Sequence, residues 1–109
     1  MKIDGIPVVN VEFPFPPGAR DVSNEGGFTE AGAFKIKWLP LKAGEVAAQH
    51  IHEYPHATFV ISGVLRVFVE KQDIGVFHPM ESIYVAAGKR HYLYAETDAV
   101  FACIHYIEE

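Results

Sequence analysis

Apolar and polar positions alternate one by one along much of the chain. Phe34, Ile36 and Trp38 are separated by Lys35 and Lys37, the period-two pattern of a strand with one buried face, which puts the three apolar side chains inside. Residues 40–44 then close that strand, because proline donates no ladder hydrogen bond and glycine turns the chain. Further short runs at 46–52, 57–62, 64–70, 73–77, 82–86, 90–95 and 99–107 read as strands, punctuated by Gly, Pro or Asp. None holds a helical period over a useful length. Many short strands with closely spaced turn signals predict an all-β sandwich or barrel, and the lack of strand–helix alternation argues against a parallel sheet.

The head of the chain has a different character. Residues 8–13 suit one short strand, which the run Pro14-Phe15-Pro16-Pro17-Gly18 ends. Residues 20–32 are polar and contain Gly26, Gly27 and Gly32, so a mobile loop is expected there. Residues 1–32 are therefore read as an arm and loop of the same unit as a barrel formed by residues 33–109.

Composition supports this picture and narrows the partners. A chain of 109 residues, 50% hydrophobic and 13% aromatic, is long enough for one core and rich in residues that fit pleated surfaces. The formal charge of −5 argues against nucleic acid, since phosphate binding needs clustered Lys and Arg. The first residues lack the apolar core of a signal peptide, and no run approaches the roughly 20 apolar residues of a membrane span. Cys103 is the only cysteine, so no intrachain disulfide forms, and a cytoplasmic setting is expected. The expected partner is a small-molecule ligand or substrate, with no nucleic acid and no membrane.

The densest chemical signal is His50-Ile51-His52-Glu53-Tyr54-Pro55-His56. Residues two apart on a strand share a face, so His50 and His52 aim two imidazoles at one point. Tyr54-Pro55 then turns the chain and allows His56 to return beside them. Imidazole suits Zn, Cu, Fe and Ni. Solvated histidines and a tetrahedral structural zinc site remain alternatives, although structural zinc more often uses thiolates.

Gly44 precedes His50 by six positions and Gly63 follows His56 by seven, giving Gly-x5-His-x-His-x3-His-x6-Gly. This spacing resembles the first sequence motif of the cupin superfamily, with His56 standing where glutamate is usual. Ala86-Ala87-Gly88-Lys89-Arg90-His91 is similar to the core of the second motif, with alanine for proline at Ala86. Met80 and Ala95 occupy that motif's outer glycine and asparagine positions. The resemblance covers Gly44 to Ala95 and implies a double-stranded β-helix, or jelly-roll barrel. It also implies His91 as a fourth ligand, and so one divalent transition metal ion (Fe, Mn, Ni, Zn or Cu) on His50, His52, His56 and His91. His105, Tyr54 and Tyr92 are candidates for the surroundings of this ligand set, with a satisfied core or surface histidine and aromatic packing as the alternatives, and His78, beside Pro79, is expected in solvent. Dimerisation through sheet edges, which is frequent among cupins, makes a homodimer the expected assembly.

Four neutral imidazoles leave the full charge on a divalent ion and leave coordination positions for a chelating substrate, or for substrate with dioxygen. An oxidoreductase of dioxygenase type is the first expectation. A non-redox isomerase, cyclase or lyase, and a binding or sensing module without turnover, are the alternatives, because fold does not fix function.

Overall fold

A computed structural model describes residues 18–23, 25–49 and 55–106. Among these residues there are nine strands and no helix: β1 (Gly27–Ala31), β2 (Phe34–Leu41), β3 (Val46–Gln49), β4 (His56–Ser62), β5 (Leu65–Val69), β6 (Gln72–Phe77), β7 (Ser82–Val85), β8 (His91–Ala95) and β9 (Ala99–Tyr106). All pair antiparallel, in a five-stranded sheet of order β1-β2-β9-β4-β7 and a four-stranded sheet of order β3-β8-β5-β6. Two antiparallel sheets packed face to face, with no βαβ unit, agree with the all-β sandwich or barrel that the strand pattern predicts and with the jelly roll that the motif resemblance implies.

The interior follows the pleat. Leu65, Val67 and Val69 on β5 stand opposite Ala95, Leu93 and His91 on β8, and all but His91 pack in or against the hydrophobic core. The other sheet contributes Leu39, Leu41, Val60, Ile83, Val85, Phe101 and Cys103. Two turns explain the spaced glycines of the first motif. Gly44 has φ 90° and Gly63 φ 79°, a left-handed backbone that residues with a Cβ rarely adopt. At Gly63 a Cβ would also press on the backbone of Ala99 at 2.6 Å, so this turn is closed to larger residues for two reasons.

Three expectations are corrected. Residues 20–32 are not all loop: β1 pairs along β2 from Gly27 to Ala31, and Asp21 bridges Val46. Pro40 does not end β2, which continues to Leu41 opposite Ala99; it lies on the exposed side of the strand. The largest correction concerns the face of β2. Leu39 and Leu41 are the buried residues, whereas Phe34 is 48% and Trp38 42% exposed. Alternation fixes which residues share a side, not which side meets the second sheet. The outward side of β2 carries Phe34, Ile36, Trp38 and Pro40 opposite Tyr106, Ile104, Ala102 and Val100 of β9, so apolar residues line both faces of this sheet.

Candidate metal centre

His56 opens β4 in one sheet and His91 opens β8 in the other. His91 follows a turn at Gly88, which has φ 82°, and Pro55 precedes His56. Both side chains point inward by the pleat, His91 beneath the same sheet face as Leu93 and Ala95, His56 beside Thr58 and Val60. Burial is nearly complete, at 5% exposure for His56 and 0% for His91. Their Nε2 atoms are 3.3 Å apart, with ring centroids at 4.9 Å and planes inclined by 45°.

That separation tests whether the pair fits a metal ion. Two nitrogens at about 2.0–2.1 Å from one ion, at ordinary angles of about 90–110°, stand about 2.8–3.4 Å from each other. The observed distance lies inside this interval, and both rings turn the same nitrogen to the shared point. Imidazole is a good donor to first-row ions. The two residues therefore fit as neighbouring ligands. Among the described residues no group of three or more His, Cys, Asp or Glu side chains gathers around one point. His50, His52 and Tyr54 lie outside the described residues. The stretch 50–54 joins Gln49, the cross-strand neighbour of His91, to Pro55, which precedes His56.

The remaining sequence candidates separate clearly. His105 is half-buried on β9 and lies on the inward parity with Cys103 and Phe101; Ile104 stands opposite Ala57, so His105 is level with His56 on the adjacent strand. Desolvation, and then the charge of Lys35, hold its imidazole pKa below the usual value. Tyr92 is buried, but it follows His91 on β8 and so projects to the opposite face of that sheet, with Phe68 and Ala48 as cross-strand neighbours. It does not join His56 and His91. His78 is exposed, with Nδ1 3.6 Å from Glu81 Oε1, as expected of a loop histidine.

Several neighbours of the pair carry no motif. Thr58, wholly buried two residues beyond His56, shares a 3.3 Å hydrogen bond with Cys103 Sγ. Val69 is paired with His91 and Val85 with His56. These two valines also line a cleft of about 380 Å³ between the β6 and β7 edges, together with Ile74 and Tyr84, and with Glu70 and Lys89 among its charged residues. The cross-strand partners of both histidines thus line a cleft that opens to solvent, while the imidazoles themselves stay buried behind them. A cleft of about 410 Å³ lies at the other end of the barrel. Several of its charged groups are already engaged: Arg20 binds Glu25 at 2.6 Å and Glu45 at 2.8 Å, and Asp98 accepts the amide of Ala43. The first cleft is the one beside candidate chemistry.

Residues 38–106 match the family model described as Cupin domain, a span that includes both histidines. Solved structures share the fold at low identity. A cupin superfamily protein from Desulfitobacterium hafniense is 18% identical over 92% of this chain and 95% of its own, with a TM-score of 0.65. A cupin 2 domain-containing protein from Halorhodospira halophila is 23% identical over 73% of this chain and 56% of its own, also at 0.65. For a cupin-2 domain containing protein from Shewanella frigidimarina the values are 18%, 72%, 74% and 0.60. No curated protein matches the chain. No helix among the described residues is long and apolar enough to cross a membrane. The match over 69 of 109 residues, counted from 38 to 106, on a barrel of the corresponding architecture, makes this chain a member of the cupin domain family.

Proposed function

We propose that the protein is a metal-dependent cupin enzyme of dioxygenase or oxidoreductase type, acting on a small molecule. The observation that carries this reading is the buried His56–His91 pair, with Nε2 atoms at the spacing of two ligands of one ion. His50 and His52 complete the proposed ligand set of four histidines on a single divalent Fe, Mn, Ni, Zn or Cu ion. When bound, the ion supplies Lewis acidity and, for the redox-active metals, a route to dioxygen chemistry.

The chain's own residues set what reaches that point. Val69 and Val85, the cross-strand partners of the two histidines, line the cleft with Ile74 and favour an apolar substrate body over water. Lys89, at the cleft, offers one cation to an anionic substituent. Two residues beyond His56 on β4, buried Thr58 shares its hydrogen bond with buried Cys103, so that no unpaired hydroxyl faces the barrel there. Burial, with the hydroxyl of Thr58 opposing it, pushes the Cys103 thiol pKa up, so Cys103 stays protonated and packs as a small hydrophobe.

Dioxygen uptake during a screen of small carboxylic and phenolic compounds, run under air and under nitrogen with Fe(II)-loaded protein, tests the assignment. Uptake that tracks substrate loss and disappears in His91→Ala is expected. Turnover with zinc and without dioxygen uptake would move the chemistry to the isomerase, cyclase or lyase class. Ligand binding without turnover would make the protein a sensing module.

A further inference from the structure

The β5–β6 hairpin is joined to the entry of β8 by two dissimilar bonds. Val69 stands opposite His91, so the next pair along the ladder is Glu70 with Arg90, the residue just before the candidate ligand. In a regular antiparallel ladder such a pair exchanges two backbone hydrogen bonds. Here Glu70 N–H donates to the Arg90 carbonyl at 2.8 Å, but the return bond from Arg90 N–H, at 2.7 Å, runs to the Glu70 carboxylate. The backbone gives the reason. Glu70 has φ 50° and Lys71 φ 73°, so the chain already turns at Glu70, and its side chain stands in for the carbonyl. A two-residue turn of this kind, between Val69 and Gln72, favours Asn or Gly. Glutamate suits that conformation poorly; what it adds at this position is the bond to Arg90.

We propose that Glu70 is a positioning residue for His91: its carboxylate fixes the start of β8, and with it the direction from which the imidazole reaches His56. The inference rests on the reading of His91 as a metal ligand. Alternation is the first argument. Successive residues of a strand point to opposite faces, so holding the residues on either side of His91 sets the side to which it points. Arg90 is held through its backbone by Glu70. Tyr92 is held by burial, at 4% exposure, which pushes its phenol pKa up against the charge and hydrogen bond of the Arg90 guanidinium. Position is the second. His91 is the first residue of β8, and strand ends fray most readily. Ligand nitrogens that meet at 3.3 Å tolerate little of that motion, because ion–ligand distances are fixed to within about 0.2 Å. Charge is the third. A bond from an amide to a carboxylate is shorter than a neutral one and about twice as strong, so the side chain holds Arg90 more firmly than the carbonyl it replaces.

Zn(II) affinity of the full chain, measured by titration calorimetry well below the melting temperature, tests this role in four variants. Glu70→Ala and Glu70→Gly both lose the carboxylate, but only glycine suits the left-handed turn. Each is expected to weaken Zn(II) binding about 10-fold or more, the loss that follows removal of a ligand's supporting partner. Glu70→Gln keeps a side-chain oxygen for Arg90 N–H and is expected to stay within about 3-fold of wild type. Glu81→Ala removes a similar 2.7 Å bond, to the amide of His78, from a turn that holds neither His56 nor His91, and is expected to leave the affinity unchanged. A loss in Glu70→Ala but not in Glu70→Gly would trace to the turn and overturn the proposal. So would an equal loss in Glu81→Ala, a loss in Glu70→Gln as deep as in Glu70→Gly, or no loss in any variant. Imidazole nitrogen–proton NMR spectra of the metal-free chain give a second readout: the His91 ring signals are expected to shift or broaden in Glu70→Ala and Glu70→Gly and to return in Glu70→Gln. If wild type binds no Zn(II), the reading of His91 as a ligand fails, and these signals alone decide whether Glu70 holds the residue. Ring signals identical to wild type in Glu70→Ala and Glu70→Gly would then overturn it.

Discussion

His56 and His91, 35 positions apart, bring their Nε2 atoms to 3.3 Å although they start strands in different sheets. The contact therefore ties one sheet to the other at a single buried point. An ion held there binds the folded chain and not the unfolded one, so it stabilises by mass action, about 2.7 kcal/mol at a free concentration of 100 times the dissociation constant. Thermal melts of chelator-treated protein, with and without added Zn(II) or Ni(II), are expected to differ by on the order of 10 °C. Identical melting curves would speak against binding.

The position of His56 allows ligand identity to be separated from fold. His56→Glu keeps a first-row donor at the start of β4 and is expected to retain metal, with altered chemistry because carboxylate lowers the effective charge of the ion. His56→Ala is expected to weaken binding by at least about 10–100-fold, the loss seen even when only a supporting partner of a ligand is removed. Titration calorimetry with Zn(II) on both variants checks this. Equal affinities for Glu and Ala would show that the side chain at 56 does not touch the ion.

Gly63 offers a prediction about the fold alone. Its φ of 79° and the close backbone of Ala99 leave Ala no comfortable place, and Gly63→Ala is expected to cost about 2–4 kcal/mol. Gly44 has a similar φ of 90°, but the space that a methyl group would take there is open. Gly44→Ala is therefore expected to cost only the backbone part, about 1–2 kcal/mol. Urea denaturation of the two variants measures the difference; equal losses would contradict the packing argument.

Cys103 predicts a pH effect. Burial raises its thiol pKa in the folded chain, so the folded state favours the neutral thiol more than the unfolded state does. This contribution to stability is complete below the unfolded thiol pKa, near 8.5, and is lost as pH rises through and beyond it. Wild type is expected to lose stability above about pH 8.5 more steeply than Cys103→Ala. Parallel profiles for the two proteins between pH 7 and 10 would remove Cys103 as the cause.

Much of this was legible in the residues. Strand positions and the spaced glycines followed from period-two alternation and from the positive φ that Gly44 and Gly63 now show. His91 was reached through resemblance, since nothing local to it signals a partner 35 positions away. What stayed hidden depends on tertiary context. The burial of Leu39 and Leu41 in place of Phe34 and Trp38 is decided by the second sheet, which alternation within β2 does not see. The β5–β6 hairpin turns on Glu70 and Lys71 at φ 50° and 73°, without the Asn or Gly that usually marks such a turn. Val69 and Val85 owe their place beside the imidazoles to register alone.

The central claim is that His56 and His91 hold a metal ion, and elemental analysis of metal per chain tests it most directly. Wild type and the His56→Ala/His91→Ala double variant are stripped with chelator, exposed to equal mixtures of Fe(II), Mn(II), Ni(II), Zn(II) and Cu(II), and freed of unbound ions. The account predicts close to one ion per chain in wild type and almost none in the double variant, with both folded by circular dichroism. A wild type without metal, or a double variant that retains as much as wild type, would contradict it.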